Sequence, residues 1–103
     1  MTRFFRTVRI KPFKSGAAFE YFRRLAEYHN SKYPEANFQV YTNILGHEYA
    51  TAYFMIDVED YSAWKRFVAS ASKDQELLSM RTENEPGFIV EGSVVDTMME
   101  TIC

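Results

Sequence analysis

A chain of 103 residues has room for one domain, since at this size roughly 65% of the unfolded surface is buried on folding, enough for one core and not two. Its 47% hydrophobic and 25% charged residues describe an ordinary soluble globular protein, and the 17% aromatic share points to large rings filling interiors or interfaces. A net charge of −2 argues against nucleic acid as a partner, because Arg3, Arg6, Arg9, Lys11 and Lys14 alternate with hydrophobes instead of forming a basic patch. The one cysteine, Cys103, excludes an intrachain disulfide and a thiolate-rich metal site, and suits a reducing compartment. MTRFFRTVRIKPF is charged throughout and lacks the apolar run of a signal peptide, and no later stretch approaches a membrane span, so the expected location is the cytoplasm.

In chain order, RFFRTVRIK (3–11) alternates and predicts a strand. Phe4, Val8 and Ile10 face one way, with Arg6 an exception near a fraying end, while Phe5, Thr7, Arg9 and Lys11 face the other. Past Pro12, the segment 17–33 puts Phe19, Phe22 and Ala26 on one side with Tyr21, Leu25 and Tyr28 beside them, the period of an amphipathic helix. Asn30-Ser31 and Tyr33-Pro34 end it. A hairpin follows, turning near Gly46-His47, with Phe38, Val40 and Ile44 and then Ala52, Phe54, Ile56 and Val58 as its apolar faces. Pairing Tyr41 with Tyr53 and Asn43 with Thr51 satisfies both patterns.

Asp60 is placed to cap a second helix, YSAWKRFVASA (61–71), in which Tyr61, Trp64, Phe67, Val68 and Ala71 recur every three or four residues. Ser72-Lys73-Asp74-Gln75 has the form of a capping box with Ser72 as the cap, so the helix should break and restart through Leu77, Leu78 and Met80. Asn84-Glu85-Pro86-Gly87 reads as a turn, and FIVEGSVVDTM (88–98) as a last strand in which Phe88, Val90 and Val94 oppose Ile89, Glu91, Ser93 and Val95.

The order strand, helix, strand, strand, helix, strand is the ferredoxin-like βαββαβ arrangement, an α+β fold in which two helices cover one face of a four-stranded antiparallel sheet, here as a single domain over 1–103. The other, odd-numbered face holds Phe5, Tyr41, Tyr53, Met55 and Val95, too much apolar surface to leave in water. YPEANFQVYTNILG together with YSAWKRFVASASKDQELLSM resembles the NIPSNAP-like and antibiotic biosynthesis monooxygenase-like branches of the dimeric α/β-barrel superfamily, a likeness that extends over the whole chain. Lys73-Asp74-Gln75-Glu76 is similar to the family's Asp-Pro-Glu-type segment without its proline. The resemblance implies a homodimeric barrel in which two sheets meet face to face, with the odd-numbered face turned inward.

On that arrangement Tyr41, Asn43 and Tyr53 would orient a small aromatic or hydrophobic ligand, and Arg9 would meet a negative charge or pair with Glu91 across the first and last strands. The same side chains would equally serve a dimer interface with no ligand, since obligate interfaces resemble a bisected core. The resemblance also implies a pocket role for Trp64, although this chain has Asp60 where relatives carry an asparagine one turn earlier, and packing is the simpler account of that tryptophan. His29, placed at the negative end of the first helix, and His47, in the hairpin turn, lack ligand spacing, so neither a metal nor a cofactor is expected. No histidine follows Trp64, which disfavours haem degradation. Three functions stay open: a small-molecule-binding protein, a cofactor-independent monooxygenase acting on a phenolic, polyketide-like substrate, and an assembly module with a plugged barrel.

Overall fold

The structure, a computed structural model, describes residues 1–46 and 49–103. Among them the chain order is β1 (Thr2–Arg9), α1 (Ser15–Lys32), β2 (Asn37–Thr42), β3 (Thr51–Val58), α2 (Tyr61–Ala71), α3 (Gln75–Phe88) and β4 (Val95–Glu100). The strands form one antiparallel sheet in the order β2-β3-β1-β4, so the first and last strands are neighbours. The predicted hairpin register holds at Tyr41 opposite Tyr53. Of the predicted turn, Gly46 has a φ of 105°, the left-handed region that glycine enters freely, while His47 lies outside the described residues.

Alternation along each strand sorts the side chains by parity. Val8, Phe38, Ala52, Phe54, Ile56 and Val58 point to the helical layer and are buried there with Ala18, Tyr21, Phe22 and Leu25 of α1 and Leu77 of α3. The Phe54 ring meets Phe22 edge-on at 5.0 Å and Phe38 at 5.8 Å. Each such ring removed from water contributes roughly 2–3 kcal/mol, so this face holds the fold together.

Asp60 caps α2 as its position predicts, accepting from the Ala63 amide at 2.8 Å. The break after α2 also falls where the sequence put it, but Asp74 is the cap, accepting from the Leu77 amide at 3.1 Å, while the Ser72 hydroxyl donates back to the Ala69 carbonyl. A carboxylate suits the positive helix end better than a hydroxyl, and this one has other donors as well. Tyr28 and Tyr33 donate to Asp74 at 2.9 and 2.7 Å, and the Lys32 ammonium lies 3.0 Å away.

Asn30 does not end its helix. Its side-chain amide donates to the Phe38 carbonyl at 2.9 Å and accepts from the Phe38 amide at 2.8 Å, pairing with edge strand β2 as another strand would. Asn30→Leu should lower stability by about 1–2 kcal/mol, because both backbone groups lose their partner. An unchanged urea midpoint would refute that role.

The last quarter of the chain departs from the sequence reading. Residues 84–87 are helical, with Pro86 inside the final turn of α3. That end is held by tertiary donors: the Lys11 ammonium donates to the Pro86 carbonyl at 2.7 Å and the Lys11 amide to Phe88 at 2.8 Å. Carbonyls that a helix end leaves orphaned thus find partners on β1's continuation. The chain then turns through Gly92, at a φ of 80°, and β4 begins at Val95 instead of residue 88. Of the predicted strand's first part only Ile89 pairs, in one bridge to Ile10. Arg6 is likewise no frayed exception, since it faces the helical layer opposite Asp96 on β4.

Candidate functional site

Between the even-numbered face of the sheet and helices α2 and α3 lies a cavity of about 470 Å³. No residue of α2 is fully buried, and Trp64 stacks on Phe4 of β1 with centroids 4.9 Å apart and planes 17° from parallel. From Trp64 the wall runs through Phe67 at 5.5 Å to His29 at 5.0 Å and on to Phe38 at 4.9 Å. The result is a continuous set of rings under the helices.

His29 belongs to this wall and is only 3% exposed. Its Nε2 lies 2.7 Å from the Ala36 carbonyl, an acceptor, so Nε2 carries the proton and donates. Burial pushes the imidazole pKa below its ordinary value, only partly opposed by the Ala36 bond, and the ring is neutral near pH 7. His29 does lie in the last turn of α1, where the sequence places it, but it does not carry the positive charge that a helix end would favour. Desolvation disfavours the charge, and the helix runs on to Lys32.

Charged groups gather at another part of the cavity. Arg6 pairs with Asp96 in a bidentate contact of 2.7 and 2.9 Å, and Arg81 with Glu85 at 3.0 Å. The buried Tyr21 hydroxyl donates to Glu85 at 2.6 Å. The Arg6 hydrogen bond holds the Asp96 carboxyl below the usual range despite its partial burial. Two cations face two anions, so the cavity carries charge without net sign.

Of the six residues singled out from sequence, Trp64 lines this cavity. Tyr41 and Tyr53 sit opposite each other on the odd-numbered face, where the Phe5 ring stacks on Tyr53 at 6.0 Å. Tyr41 is 50% exposed there and also borders an open groove against α1 beside Arg23 and Glu27. Asn43 accepts from the Thr51 amide at 2.9 Å and so ties the ends of the β2–β3 connection together. Arg9 and Glu91, both described, form no ion pair. The Arg9 guanidinium lies 3.7 Å over the Tyr49 ring, and Glu91 falls in the turn before β4, off the ladder that the pairing required. The ion pair that does join the first and last strands is Arg6–Asp96, on the other face. Sequence reasoning missed Arg6, Asp96 and His29. For His29 a signal existed, since it continues the buried series Ala18, Phe22, Leu25 at helical spacing.

A four-stranded antiparallel sheet in this order with its helices on one face is the ferredoxin-like fold. Solved structures similar to this chain in fold include NIPSNAP domain and antibiotic biosynthesis monooxygenase proteins. A NIPSNAP domain protein from Burkholderia xenovorans superposes with a TM-score of 0.81 at 15% identity, covering 100% of this chain and 98% of its own. An antibiotic biosynthesis monooxygenase superposes at 0.68 and 10% identity with 100% of both chains covered. A dimeric protein of unknown function from Bacteroides fragilis superposes at 0.68 and 11% identity, covering 97% and 95%. No protein-family model and no curated protein matches the sequence. At such identities the shared property is the fold.

Proposed function

We propose that this protein is a homodimer that binds a small, flat aromatic or hydrophobic molecule in each subunit, between the sheet and helices α2 and α3. The observation that carries the reading is the ring-walled cavity of about 470 Å³, within the roughly 300–1,000 Å³ of small-molecule sites. Its apolar rings suit a flat ligand, and its charges are already paired with one another. Tyr41, Tyr53 and Phe5 then belong to the dimer contact, and Arg9 and Asn43 to its margin. A dimeric structural neighbour supports that assignment.

Ala71, at the end of α2, lines the cavity without joining its polar contacts. Ala71→Phe should fill it and weaken uptake of a planar probe at least ~10-fold, as overlap with a bulky ring forces the ligand out. Quenching of Trp64, the only tryptophan, reads this directly. Retention of the probe by the filled variant would place the ligand elsewhere, and a dimer that takes up no probe would favour the assembly module.

A second reading draws on the monooxygenase among the neighbours. A cavity walled by rings could desolvate an anthrone-like phenol so that the substrate itself reduces oxygen, one CH₂ and one O₂ giving a carbonyl and water with no cofactor. Oxygen uptake and product formation on such a substrate separate this reading from binding alone.

A further inference from the structure

We propose that His29 determines which ligand the cavity accepts, its Nδ1 taking a hydrogen bond from a neutral hydroxyl or N–H group on the bound ring. The proposal rests on reading the cavity as a ligand site. Three observations meet at this residue. Its Nε2 is committed as a donor to the Ala36 carbonyl at 2.7 Å, which leaves Nδ1 as an unprotonated acceptor. Nδ1 has no partner among the described residues, yet no buried side-chain nitrogen or oxygen there lacks one, so Nδ1 is not sealed within the protein. The residue also borders the cavity while being only 3% exposed to solvent.

The surroundings raise the value of that acceptor. Phe38, Phe67 and Tyr33 pack on the imidazole at 4.9, 5.0 and 5.6 Å, so little water competes for it. The charged and titratable groups of the neighbouring elements are engaged with one another. Arg6 of β1 pairs with Asp96 of β4, and Arg81 with Glu85 inside α3. Tyr33, Tyr28 and Lys32 of α1 are held by Asp74 at the start of α3. None of them contributes to the depressed basicity of the imidazole, which burial keeps neutral.

An acceptor in such a place discriminates sharply. A ring with an O–H or N–H satisfies it, a bare hydrocarbon leaves it unpaired, and a carboxylate sets a second acceptor against it. The ligand class is therefore a flat ring with a neutral donor, as in a phenol, an indole or a ring amide.

The test compares 2-naphthol with naphthalene and 2-naphthoate by equilibrium dialysis at pH 7.5, together with ¹⁵N NMR of the histidine-labelled protein. The wild type should prefer 2-naphthol by at least about 10-fold, and only that probe should move the His29 Nδ1 resonance upfield, as a hydrogen bond to this nitrogen does. His29→Leu should bring 2-naphthol and naphthalene within about two-fold of each other, whereas His29→Asn, whose shorter side chain gives up the Ala36 bond but can place its amide oxygen near the position of Nδ1, should restore part of the preference. Should the leucine variant fail to fold, the asparagine variant and the wild-type spectrum decide. Equal affinities with an unmoved Nδ1 resonance would overturn the assignment to His29 and leave the cavity as a ligand site. Failure of every probe to bind would remove the ligand site, and this proposal with it.

Discussion

Asp74→Ala should destabilise the protein by about 2–4 kcal/mol, a large share of the roughly 5–15 kcal/mol of a domain this size. The carboxylate, whose side chain is 2% exposed, caps α3 and accepts from Tyr28, Tyr33 and Lys32 at the end of α1. Removing it orphans a helix end and two tyrosine hydroxyls together, although water can reach the half-exposed Lys32 and limit the loss. Asp74→Asn should fall between, since an amide oxygen still caps the helix. Urea midpoints followed by circular dichroism measure both, and a loss under 1 kcal/mol for the alanine variant would contradict this role.

The same group gives the protein an acid-sensitive stability. Burial alone would raise the Asp74 pKa, but the hydrogen bonds from Tyr33, the Leu77 amide, Lys32 and Tyr28 outweigh it and hold the carboxyl well below the usual range. An unfolded aspartate binds its proton near pH ~3.9, so below that pH the unfolded state holds more protons than the folded one and stability falls with acid. Above it the contribution is complete. Asp74→Asn should flatten the decline, while Asp96, lowered by Arg6, keeps some of it.

Phe5→Asp should turn the proposed dimer into a 12.1 kDa monomer without unfolding the subunit. Phe5 lies in the middle of the odd-numbered face, between Met55 and Thr97 and against the Tyr53 ring. Around it Tyr41 is 50% and Val95 59% exposed, apolar surface that a second copy of this face would cover. An unpaired carboxylate at the centre of that contact should raise the dissociation constant at least ~100-fold, whereas the core on the opposite face is untouched. Sedimentation tests the first part and thermal melting the second. A wild-type protein that stays monomeric at micromolar concentration would remove the dimer from the proposed function.

Much of this architecture follows from local rules. The two-residue alternation assigns Phe4, Val8 and Phe54 to one face and Phe5, Tyr41 and Tyr53 to the other, and the pairing confirms both sets. The bounds of α2, Tyr61–Ala71, and its Asp60 cap follow from the spacing of Trp64, Phe67 and Ala71 and from one carboxylate at the right position. Periodicity and capping are properties of a few neighbouring residues, which is why a linear chain displays them.

Other features depend on residues far apart in the chain. Pro86-Gly87 looks like a turn until Lys11 supplies donors to the end of α3, and only then does the last strand start at Val95 and carry Asp96 to Arg6. The site divides in the same way. Trp64 is conspicuous as a lone tryptophan, but whether space remains beneath it depends on how closely α2 approaches the sheet. His29 reads as a polar helix end because its spacing with Leu25 was outweighed by its polarity, which the Ala36 carbonyl and the surrounding rings neutralise. Contacts of that kind join positions that no local window contains together, and desolvation, which sets the charge of a side chain, exists only once they have formed.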